Sequence, residues 1–149
     1  MPSIRPPSVV VGASPDDIEA QFYEALRQGD IDKLMAVWSD DDEIVCVHPG
    51  GPRLVGPVAI RAAFEGMFGR GSIDVRPEKV RRLHTLASAV HSVLERVQVM
   101  TQEGPKTAWL IVTNVYLKGA QGWRLVAHHT SPGMQNEQRE AEEPPSVLH

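Results

Sequence analysis

The sequence is poor in the residues that would narrow its function quickly. Among 149 residues it has one cysteine, Cys46, which excludes an intramolecular disulfide framework and fits a reducing compartment. Aromatic residues make up only 5%, so the few present count as candidate core or wall positions. No apolar run approaches the ~18 residues expected of a membrane-spanning helix. Met1–Gly12 carries Pro2, Pro6 and Pro7 and no long apolar stretch of the secretory-signal kind. A cytoplasmic protein without a membrane partner is therefore expected. An excess of base is missing too: 15 Lys and Arg stand against 19 Asp and Glu, a net charge of −4. A nucleic-acid-binding module draws its affinity from neutralising phosphates, so no nucleic-acid partner is expected. Also missing are GxSxG, the P-loop, CxxC, HExxH and the Rossmann glycine fingerprint.

What is present divides into a body and two unlike ends. Residues 1–13 hold three prolines and one charged residue, Arg5, and predict a disordered arm. Residues 133–149 hold four Glu against one Arg, with Pro144 and Pro145, and predict a flexible acidic tail. Residues 14–132 between them read as one domain of ordinary size.

That body opens on helix signals. Ser14 suits an N-cap, Pro15 a first helical position, and Asp16 and Asp17 the positive end of the helix dipole. Ile18, Phe22, Ala25 and Leu26 recur at helical spacing until Gly29. Asp30 caps a second helix carrying Ile31, Leu34, Met35 and Trp38. Glu43–Val47 is a short β-rich run, and PVAIRAAFEGMFGRG reads as a third helix with Ile60, Phe64 and Phe68 as its buried stripe. From Ser72 onward the period becomes that of strands: Ser72–Arg82, interrupted near Pro77, then Leu86–Met100, Lys106–Leu117 and Trp123–Ser131. Three helices ahead of a meander of long strands predict an α+β fold, in which a curved, mainly antiparallel sheet wraps the helices around a cavity.

Polar residues inside the apolar strands are the functional candidates. Glu95, in VLERV, is either a solvent-face residue paired with Arg82 or Arg96, or a cavity carboxylate with a raised pKa able to move a proton. Asn114, in VTNVY, needs hydrogen-bond partners if buried. His128 and His129 are adjacent, so they point to opposite faces. His129 shares its face with Trp123, Leu125, Ala127 and Ser131 in a regular strand, and is therefore expected in the cavity. His48 closes the short strand, and Tyr23, Trp38 and Trp109 are candidate walls. Metal binding needs about three converging ligands, and no spacing here requires them, so neither metal nor other cofactor is expected. Cys46 reads as packing rather than as a nucleophile.

Two N-terminal helices, HPGGPRLVGPVAI, a third helix, TNVY and GWRLVAHHTSP together resemble the SnoaL-like branch of the nuclear-transport-factor-2-like superfamily. The association domain of calcium/calmodulin-dependent protein kinase is similar as well. The resemblance spans roughly residues 14–132. It implies a cone-shaped cavity lined by the concave sheet and the helices, and a homodimer packed through the sheet. It also implies that His48, Glu95, Asn114 and His129 line the cavity. The family hosts isomerases, cyclases and dehydratases alongside assembly domains, and fold does not settle activity. The expected function is binding of a small apolar or weakly acidic molecule. Lyase- or isomerase-type acid–base chemistry would then fall to Glu95 and His129, with His48, Asn114, Trp38, Tyr23, Trp109 and His128 as ligand contacts. A non-catalytic ligand-binding or homodimerisation domain is the alternative.

Overall fold

The computed structural model describes residues 14–134; the expected arm and all but the first two residues of the expected tail lie outside them. Helix α1, Pro15–Gln28, begins as its sequence dictates. The Ser14 hydroxyl accepts from the Asp17 amide while the Asp17 carboxylate accepts from the Ser14 amide, a reciprocal capping box. Gly29 ends the helix at φ 65°, a left-handed conformation that glycine adopts without strain. Helix α2, Ile31–Val37, starts on the Asp30 cap, and α3, Pro57–Phe68, starts on proline. Ile18, Phe22, Leu34, Ile60 and Phe64 from the three helices share one apolar core with Val93, Val112, Tyr116 and Leu125 from the sheet.

Six strands form one sheet: β1 Val45–Val47, β2 Arg53–Val55, β3 Val75–His84, β4 Ser88–Thr101, β5 Gly104–Gly119 and β6 Gly122–Pro132. Their order is β2-β1-β6-β5-β4-β3. All neighbours are antiparallel except β1 and β6, which run parallel, so the α+β fold has a mixed sheet. The glycine-rich HPGGPRLVG segment folds back as the β1–β2 hairpin. The break expected near Pro77 falls a little later, between Glu78 and Arg81, where Lys79 takes φ 44°. Among the described residues no helix is long and apolar enough to cross a membrane.

One irregularity in β6 corrects the expected facing of the two histidines. Ala127 pairs with Val115 and Leu125 with Tyr116, so Val126 is an extra residue in β6, a bulge. The bulge reverses the alternation. Trp123 and Leu125 face the core as expected, but beyond Val126 it is His128 and Thr130 that are buried, and His129 is exposed.

Candidate functional site

The face of the sheet that meets α1 carries a row of buried polar side chains. On β4 the inward residues are Ala89, His91, Val93 and Glu95, and on β5 they are Val112, Asn114 and Tyr116. Helix α1 adds Glu19 and, one turn on, Tyr23. Burial of so many polar groups is tolerable only if each finds a partner, and these do. Tyr23 donates its hydroxyl to Glu95 Oε2 at 2.7 Å. Tyr116 donates to Glu19 Oε2 at 2.6 Å, and His91 Nδ1 lies 2.8 Å from the same oxygen. The Asn114 amide nitrogen reaches both Glu19 Oε2 and the Tyr23 hydroxyl at 3.4 Å. Its carbonyl oxygen is then left to accept, and His128 Nδ1 sits 2.6 Å away as the donor. His128 Nε2, the unprotonated nitrogen of that tautomer, accepts from the Thr130 hydroxyl at 3.0 Å.

Beside this network lies a cavity of about 380 Å³, into which Glu95, His48, His128 and Thr130 project among apolar residues such as Leu26 and Phe64. Arg70 and Asp74 also line it. A larger cleft of about 750 Å³ lies between Ser39–Val45 and the β5–β6 turn. Its carboxylates, Asp40, Asp41 and Glu43, stand in water, and it shares none of the buried network, so the smaller cavity is the better candidate.

Electrostatics separates the roles in the small cavity. Burial raises the Glu95 carboxyl to about 7, against the Tyr23 hydrogen bond that holds it down; the nearby Glu19 charge raises it further. Burial drives His128 down to about 3, helped by His48 and His129, so its ring is neutral near pH 7. Burial also lowers His48. The Tyr23 and Tyr116 hydroxyls are pushed up, first by burial and then by the adjoining carboxylates, so both remain donors. The Cys46 thiol lies 3.7 Å from His48 Nε2, and burial pushes it up to about 12, which suits packing and not nucleophilic attack.

Glu95, His48 and His128 therefore meet at one cavity, and Tyr23 and Asn114 stand one hydrogen bond behind it. Three expected site residues lie elsewhere. His129 is on the opposite face because of the Val126 bulge. Trp38 caps the end of α2 in the core and pairs with Leu125. Trp109 pairs with Arg96 on the outer face of the sheet, because β5 turns its even-numbered residues inward. Glu19, His91, Tyr116 and Thr130 were missed. Their only trace in the sequence is periodic: Glu19 lies one helical turn before Tyr23, and His91 lies four strand residues before Glu95.

A SnoaL-like domain model matches residues 16–135. The chain belongs to the SnoaL-like family. No curated protein matches it. Among solved structures, this SnoaL-like chain is similar to a protein from Thiobacillus denitrificans put forward as a calcium/calmodulin-dependent protein kinase type II association domain. The two share 33% identity over 83% of this chain and 98% of that one, with a TM-score of 0.75. It is also similar to a protein from Streptomyces avermitilis put forward as a dehydratase of the nuclear-transport-factor-2-like family. That match has 25% identity, covers 78% and 91% of the two chains, and has a TM-score of 0.70. An uncharacterised Caulobacter vibrioides protein with a cystatin-like fold shares the fold at 13% identity, covering 84% and 91%, with a TM-score of 0.70.

Proposed function

We propose that this SnoaL-like chain binds a small apolar or weakly acidic molecule in a cone cavity between its helices and the concave face of its sheet, and that Glu95 exchanges a proton with that ligand. The observation that carries this reading is a carboxyl of pKa about 7 opening into an apolar cavity. A group with that pKa is available as both acid and base at neutral pH, as proton transfer in a lyase or isomerase requires. His128, neutral and fully hydrogen-bonded, serves as a fixed polar wall, and His48 is the second imidazole at the cavity. Tyr23 holds the carboxyl from behind, and Asn114 in turn donates to the Tyr23 hydroxyl.

The test combines binding with exchange. A panel of small aromatic and aliphatic carboxylic acids is screened by ligand-observed NMR in heavy water, with Glu95→Gln in parallel. Binding of an acid should weaken as pH rises through about 7, because ionised Glu95 repels a carboxylate. Glu95→Gln should lose that pH dependence. Deuterium entering the bound acid beside its carbonyl, and abolished in Glu95→Gln, marks catalysis. An identical pH profile in both proteins overturns the assignment of Glu95.

A second reading, an association domain, is favoured by the outer face of the sheet. There Val90 is 38% exposed, and Leu94, Ile111, Val115 and Ala127 fall beside it by register. We place a homodimer contact on that face; the relative from Thiobacillus denitrificans, named for association, supports it. The single buried thiol supports a cytoplasmic setting for either reading.

A further inference from the structure

A second cluster lies where the first turn of α1 meets β3 and β4. His91 is fully buried on β4 and its cross-strand partner is Arg82. His84 lies two residues further along β3, on the same face, and the two imidazoles stack at 5.1 Å and 16°. Their Nε2 atoms are 2.9 Å apart. Asp16 Oδ1 lies 3.8 Å from His91 Nε2, and all three ligand atoms fall within 4.8 Å of one another.

We propose that His84, His91 and Asp16 form a binding site for a divalent transition-metal ion of borderline softness, with Zn²⁺ its best probe. The sequence carried no expectation of one, because the ligands come from three elements without motif spacing. Two imidazoles and one carboxylate are the donor set such ions favour, and three protein ligands leave a fourth position for water. The outer shell points the same way. His91 Nδ1 donates to Glu19, a carboxylate held by Tyr116, and this fixes the tautomer whose Nε2 lone pair faces His84. A carboxylate behind a histidine is the arrangement that orients metal-binding imidazoles. With metal–nitrogen bonds of about 2.0–2.1 Å, nitrogens 2.9 Å apart subtend a tight angle; His84 is exposed at the end of its strand, so it can open that angle. Arg82 Nε also holds Asp16 Oδ1, at 2.8 Å, and is half exposed, so metal and guanidinium compete for that oxygen.

The experiment uses the untagged full chain, stripped with chelator and titrated with Zn²⁺ by calorimetry, and with Co²⁺ by visible absorption. One ion per chain is expected, with affinity at least about tenfold weaker in His84→Ala. His129→Ala, an exposed histidine away from the cluster, should bind as the unaltered protein does, and excess Mg²⁺ should not compete. His84 is exposed, so its removal leaves the fold in place, and circular dichroism checks this. Failure to take up one ion, or equal uptake with and without His84, means that the two imidazoles only hydrogen-bond each other and overturns the proposal.

Discussion

Glu95 and His128 line the same cavity, yet they push stability in opposite directions with pH. The folded Glu95 pKa of about 7 lies above its ordinary 4.5, so the folded chain keeps a proton that the unfolded chain has released. Its contribution is full below about pH 4.5 and is lost as pH rises through 7. It amounts to something on the order of 3 kcal/mol. His128, lowered from 6.5 to about 3, does the reverse: its contribution is full above 6.5 and is lost as pH falls through 3. Between about 4.5 and 6.5 the two slopes oppose each other. Glu95→Gln keeps an acceptor for the Tyr23 hydroxyl and removes one slope. It should match the unaltered protein near pH 4 and exceed its stability near pH 8 by that same order of 3 kcal/mol. It should also show stability rising more steeply between pH 4.5 and 6.5 than the unaltered protein does. Guanidinium unfolding across a pH series measures the difference, and parallel profiles would refute the raised carboxyl.

At the scale of elements, helix boundaries were legible because their signals are local. Ser14, Pro15 and Asp17 sit within four residues of one another, and the capping box they form needs nothing distant. Gly29 makes a correspondingly local prediction. Its φ of 65° strains any residue with a Cβ, while the nearest atom to an added Cβ, in Ser72, is 3.7 Å away and leaves room. Gly29→Ala should therefore cost about 1 kcal/mol for conformational reasons alone. For a chain of this length that is a fall in Tm of about 2–4 °C, readable by calorimetry. Strand β2 escaped notice because three residues between Pro52 and Gly56 are too few to show a period. The Val126 bulge escaped for a different reason. Alternation assigns faces only while the strand is regular, and one extra residue exchanged the places of His128 and His129.

For the whole molecule, the proposed dimer contact on the outer sheet face has a direct test. If two copies pack there, light scattering should give twice the monomer mass at micromolar concentration. Ile111→Lys, which sets a charge in the middle of that face, should return the monomer without loss of helical signal. A monomer from the unaltered chain would remove the association reading and leave the cavity reading standing. The sequence by itself determined the fold class, the three helices and the four long strands, since these follow from residue period and capping between near neighbours. It also marked Glu95, His48 and Asn114 as polar residues in apolar surroundings and Tyr23 as a candidate wall, but set His129 rather than His128 in the cavity. Only the tertiary structure decided which of them share a cavity, and that Glu19 and His91 stand beside Asn114. It alone brought Asp16, from the first helix, against two histidines some seventy residues away. Those contacts join α1 to strands far along the chain, and no period within one element carries information about which residue of another will stand opposite it.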